Sequence, residues 1–152
     1  MNSTHHPAFW PYEYRDRVVR GWKGLLVGVL VADVVFFLVP GVMKASQDPQ
    51  HAAYQLSFLP ILMVFGVLPI GLVGLPTAML LGKILRGIRN QWIHVAAFIV
   101  AGALVGTLVG VPFTGWTIHT LAYMTLPAAL GAGIGRLAVW KLVRINDHPS
   151  LT

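Results

Sequence analysis

The chain contains no cysteine in its 152 residues. That absence excludes a disulfide framework, thiol chemistry, Cys-ligated metal and any palmitoyl or prenyl anchor. Charge is nearly as scarce: Asp, Glu, Lys and Arg make up 11% of the chain, and only five of those side chains are acidic. Soluble domains carry about 25% charged residues, so a water-exposed globule is excluded. Also missing are an HExxH pair, a phosphate-cradling Gly-Lys-Ser/Thr loop and a serine nucleophile elbow. Gly131, Gly133 and Gly135 follow a helical apolar pattern rather than a strand, which rules out a dinucleotide fingerprint. No catalytic residue, cofactor or metal is implied.

Long apolar runs stand in place of charge. The chain is 56% hydrophobic, with a mean hydropathy of +0.70. From Leu56 to Gly82 it is almost unbroken apolar sequence, with Ser57 and Thr77 the only hydroxyls and no charge before Lys83. As a helix this run reaches about 40 Å, at about 1.5 Å per residue. A bilayer core of about 30 Å is crossed with length to spare for tilt or kinks. Similar runs cover 24–42, closed by Pro40-Gly41, then 93–111, ended by Pro112, and 118–139. The sequence thus predicts an all-α integral membrane protein: a four-transmembrane-helix bundle over 24–140, a tail at 1–23 and a tail at 141–152. No length remains for a separate globular domain.

The first tail interleaves Phe9, Trp10, Tyr12 and Tyr14 with Pro7 and Pro11, then becomes basic at Arg15, Arg17, Arg20 and Lys23. Rings and cations together favour the headgroup layer, so an interfacial anchor is expected rather than a secretory signal. The net charge of +6 is carried by residues flanking the apolar runs. Their natural partner is an anionic lipid headgroup, not nucleic acid. Lys83, Arg86, Arg89, Lys141 and Arg144 join the tail residues in that role.

With four crossings, ten of the eleven Lys and Arg residues fall on one side, and Lys44 alone on the other. Basic flanks stay inside. Both termini are therefore expected to be cytoplasmic, in a bacterial inner membrane. The spacing also suggests a duplication. Leu68-Pro69, Lys83 and Arg86 recur as Leu126-Pro127, Lys141 and Arg144 at a 58-residue offset, suggesting two tandem helical hairpins in one orientation.

Three features could carry function. Asp33 sits midway along the first run, where an isolated charge costs about 2.5–3.5 kcal/mol on insertion scales. It is expected to face the bundle interior, paired with Arg136, or protonated and bonded to a neighbour such as Thr107. Arg136 is about five residues nearer the basic side, roughly 7–8 Å of helix rise. Small residues form the second feature. Gly102, Gly106 and Gly110 share one helix face, as do Gly24 and Gly28, and Gly131 and Gly135; such faces let helices approach closely in lipid. Prolines are the third: Pro69, Pro76 and Pro127 remove amide donors inside spans and are expected to kink them.

Histidines do not make a haem site, because His94 and His119 open their spans at opposite sides. His51 approaching His119 on the outer surface would offer two imidazoles to a metal. The expected function is a non-enzymatic accessory or scaffold subunit of a membrane complex. The alternative is a small oligomeric transporter or channel subunit with Asp33 as intramembrane coupling acid. The expected partners are the bilayer and either a second copy or another membrane protein.

Overall fold

The computed structural model of the chain describes residues 18–19, 22–88, 90–140 and 144–145. Arg15, Arg17, Arg20, Arg89 and Lys141, all expected at the headgroups, lie outside the described residues, as does most of the aromatic tail. For Arg144 only the backbone is described. Apart from a two-residue antiparallel pairing of Val18–Val19 with Arg144–Ile145, the described chain is helical.

Helix α1 spans Trp22–Gln47 and continues past Pro40-Gly41, where the sequence predicted its end. A 3₁₀ turn at Pro49–His51 and a short α2, Ala52–Ser57, follow it. Helix α3 is Leu59–Ile84, with Pro60 in its first turn and Pro69 and Pro76 inside. Helix α4, Gln91–Thr114, likewise runs through Pro112. The expected stops fail at Pro40 and Pro112 for one reason. A proline removes one backbone bond, whereas unwinding in a water-free medium orphans several.

The last rod is composite. A three-residue α5 (Ile118–Thr120) leads into a π turn at Leu121–Thr125, then α6 (Leu126–Ala138). The π turn stands immediately before Pro127, which occupies the first turn of α6. Wider i→i+5 bonding there, with the Leu126 amide donating to the Leu121 carbonyl, carries the rod up to the proline without a break.

Three helices are long and apolar enough to cross a membrane: Lys23–Gln47, Leu59–Gly87 and Gln91–Thr114. Their outward faces are apolar, with Phe65 76% exposed and Trp116, in the turn after α4, 82%. Such surfaces are stable in lipid and would aggregate in water.

Each rod runs antiparallel to the one it packs on. Gly28 faces Gly135 while Ala32 faces Gly131; Gly102 faces Ala128 while Gly106 faces Met124; Gly41 meets Leu59 while Asp33 and Phe37 meet Gly66. Lys23, Lys83, Arg86 and Arg136 consequently collect at one end of the bundle, called here the basic end, and Lys44 lies at the other.

Helix α6 is the centre, wedged between α1 and α4, while α3 leans on α1 and barely touches α4. That asymmetry departs from the tandem-hairpin expectation, under which α3 would hold α4 as α6 holds α1. At the 58-residue offset, the glycines 131 and 135 of α6 correspond to Val73 and Thr77 in α3. Branched side chains there forbid the same close approach.

Candidate functional site

The glycine faces are spent inside the chain. A Cβ added at Gly135 would sit 2.5 Å from the Gly28 carbonyl oxygen, and one at Gly131 2.7 Å from that of Ala32. Across the other seam, a Cβ at Gly102 would come within 2.5 Å of the Ala128 carbonyl oxygen and one at Gly106 within 2.6 Å of that of Met124. Gly110 packs on Thr120 and Met124. Gly24 differs: it borders the cleft described below.

Asp33 and Arg136 are both buried, at 2% and 3% exposed, yet the structure does not join them. The Arg136 Nη2 donates to Gln91 Oε1 at 2.6 Å, at the start of α4. Asp33 Oδ1 has no hydrogen-bond partner. The seam explains the separation. Gly135 lies beside Gly28 in the antiparallel pair, so Arg136 starts about 9 Å nearer the basic end than Asp33, and its long side chain extends further that way. The expected intramembrane pair is corrected accordingly.

The Asp33 carboxyl rests instead on α3 at Gly66, where an added Cβ would be 2.8 Å from Oδ1 and 2.0 Å from Phe37 Cε2. Gly66 was not singled out from the sequence. Its one visible signal was being the sole small residue in a large-residue stretch. Thr107 does not reach Asp33 either. Its hydroxyl donates to the Ala103 carbonyl at 2.8 Å, so the Thr125 hydroxyl, also 2.8 Å away, donates to Thr107. This bond ties α4 to the π turn.

The other buried polar groups are also ties. His94 Nε2 lies 2.9 Å from the Ile88 carbonyl and must carry the proton there. Thr120, 2% exposed, donates to the Gly115 carbonyl at 2.5 Å and meets Thr114 Oγ1 at 2.7 Å. Gly115, at φ 68°, closes the α4–α5 turn in a conformation that favours glycine. These threonine bonds were not anticipated, because hydroxyls in apolar runs give no sequence hint of their partners.

At the end opposite the basic residues, His51 Nδ1 is 3.0 Å from Asp48 and the His119 ring stacks on Tyr123, whose hydroxyl donates to Gln47 Oε1 at 3.3 Å. Among the described residues, no group of three or more His, Asp or Glu side chains could hold a metal ion. At the basic end, Trp92 and Trp140 meet edge to face with ring centres 5.4 Å apart.

A cleft of about 390 Å³ remains between α1, α3, α4 and α6. Phe36 of α1, Gly74 and Ala78 of α3, and Gly102 and Val105 of α4 line it; Arg136 and Val139 stand at its basic end. It opens because α3 peels away from α1. The two touch closely at Gly66, whereas an added Cβ would meet nothing at Gly71 and, at Gly74, only Ile70 of the same helix at 4.0 Å. Pro69 lies between the closed and open stretches.

No family model, curated protein or solved structure matches the chain.

Proposed function

We propose that the chain is a four-crossing membrane protein, the 118–138 rod included, that serves as a non-enzymatic accessory subunit of a membrane complex. At about 31 Å of helix rise, that rod is long enough to cross once its π turn is counted. Basic residues gathered at one end support cytoplasmic termini in a bacterial inner membrane. The observation that carries the reading is the use made of buried polar groups. Arg136–Gln91, His94–Ile88, Thr107–Thr125 and Thr114–Thr120 each bond one segment to another. None of these pairs sets an acid beside a base, as proton-transfer chemistry requires.

One specific observation favours transport as a second reading. Asp33 is buried near the middle of α1, and its Oδ1 lacks a hydrogen-bond partner. Buried intramembrane acids mark proton and cation pathways in many carriers.

Purification of the full chain in mild detergent separates the two. The expected result is a stable heteromeric assembly. A homo-oligomer whose flux after reconstitution collapses in Asp33→Asn would replace the accessory reading with transport.

A further inference from the structure

We infer that the cleft between α1, α3, α4 and α6 is the docking site of the chain's own N-terminal segment, residues 9–14. Glu13 pairs with Arg136 at the basic end, and the rings of Phe9 and Trp10 enter the slot. The inference goes beyond an accessory role and needs only the packing of the helices.

The walls say what kind of occupant fits. They run from Gly66 to Leu81 on α3 and from Met124 to Val139 on α6, about 22 Å of helix rise. Among the described lining residues only Thr77 and Arg136 have polar side chains, and the Thr77 hydroxyl donates back to the Val73 carbonyl at 2.7 Å. The slot therefore takes carbon along its depth and an acid at its basic end. Ala78 of α3, Phe98 of α4 and Arg136 of α6 stand around its basic half, and each makes an interaction additional to the bonds described. Contacts on three helices around one mouth are what a single seated segment makes.

Charge names the segment. A guanidinium 3% exposed is stabilised by an acid. Of the five acidic residues, Asp33 packs on Gly66 and Asp48 meets His51 at the far end. The other three, Glu13, Asp16 and Asp147, belong to the tails. Asp16 has Arg15 and Arg17 on either side to answer it, and no aromatic residue follows Trp140 to accompany Asp147. Glu13 stands between Tyr12 and Tyr14, with Phe9 and Trp10 close before it.

Reach agrees. Val18–Val19 pairs with Arg144–Ile145 just outside the ends of α1 and α6, so the segment leaves from the basic end. Five residues separate Glu13 from Val18, at most about 17 Å of extended chain. With Gly28 beside Gly135, Arg136 lies about 7–8 Å inside the level of Trp22, and its long side chain shortens the gap. Trp10 and Phe9 are three and four residues further back, far enough for their rings to pass into the slot. Pro7 and Pro11 lack amide donors and favour extended backbone, which lowers the cost of seating irregular chain against carbon.

Because cysteine is absent, Tyr14→Cys with Ala78→Cys reads the docked segment as a disulfide. Full-length chains, unlabelled and nitrogen-15-labelled, would be mixed, reconstituted in bilayers and oxidised briefly, and the bridged peptides weighed. Bridges within single chains are expected, forming faster than between Tyr14→Cys and Ile84→Cys, which is at the same end of α3 but 66% exposed. Glu13→Gln should slow them by about tenfold or more, the size of one hydrogen bond to a charged group. In an Arg136→Gln background it should have no further effect, and Asp147→Asn should change nothing. These tail substitutions lie outside the bundle and spare its folding. A rate no faster than that of the Ile84→Cys pair, or indifferent to Glu13→Gln, would overturn the inference. So would bridges joining labelled to unlabelled chains, which would give the cleft to a second copy. None of these results would remove the accessory reading, which rests on what co-purifies.

Discussion

The Arg136 guanidinium bonds to Gln91 across the α4–α6 seam, 2.6 Å from Nη2 to Oε1, and leaves Asp33 to α3. Two buried side chains of opposite formal charge, both turned into one bundle, thus serve different helices. Arg136 fastens the start of α4, whereas Asp33 packs beside Phe37 against Gly66 of α3.

That bond should be measurable as coupling. In a double-mutant cycle of Gln91→Ala and Arg136→Gln, thermal or denaturant unfolding in detergent should give an interaction energy of about 1.5–3 kcal/mol, as for hydrogen bonds to charged groups. The same cycle between Arg136→Gln and Asp33→Asn should give a value near zero. A large value for the second cycle would mean that the acid and the arginine act together after all.

The two glycine environments should respond oppositely to one methyl group. Gly102→Ala drives a Cβ to 2.5 Å from a backbone oxygen that cannot swing away. It should destabilise the bundle by about 1–3 kcal/mol, as overpacking does. Gly71→Ala meets nothing within 4 Å and should leave stability unchanged or raise it by about 0.5–1 kcal/mol through helix propensity. Equal losses at the two sites, read from unfolding in bicelles, would contradict the seam.

Because the chain has no native cysteine, single engineered thiols report sidedness without background. With four crossings, Arg86→Cys and Ser150→Cys should be labelled from the cytoplasmic side by an impermeant maleimide, and Gln50→Cys from the other. Labelling of Arg86→Cys and Ser150→Cys from opposite sides would reduce the crossings to three.

Much of the scaffold was legible because lipid makes hydropathy almost decisive. Leu59–Ile84 and Gln91–Thr114 enclose the cores of the runs read at 56–82 and 93–111, and α1 covers 24–42. Proline misled the boundaries at Pro40 and Pro112, since its helix-ending habit is learned from water, where unwound backbone is solvated. Depth was legible too. Counting residues to the flanking charges puts Asp33 about 7–8 Å deeper than Arg136, and the Gly28–Gly135 seam puts it about 9 Å deeper.

Counting could not give azimuth. Whether Arg136 turns toward Asp33 or Gln91, and whether Thr107 meets Asp33 or Thr125, depends on how each rod is rotated and which neighbour is close. The glycine stripes marked faces able to approach another helix but not which one. Gly28, Gly102, Gly106, Gly131 and Gly135 turned out to meet each other's helices, leaving α3 without an equally close hold on α4. Sequence alone determined the solvent, the rods and the heights of their polar groups, because transfer from water to hydrocarbon acts on each segment separately. Only the tertiary structure decided the partners and the open slot, because these arise from the joint packing of four surfaces, where one branched side chain in place of glycine redirects a helix.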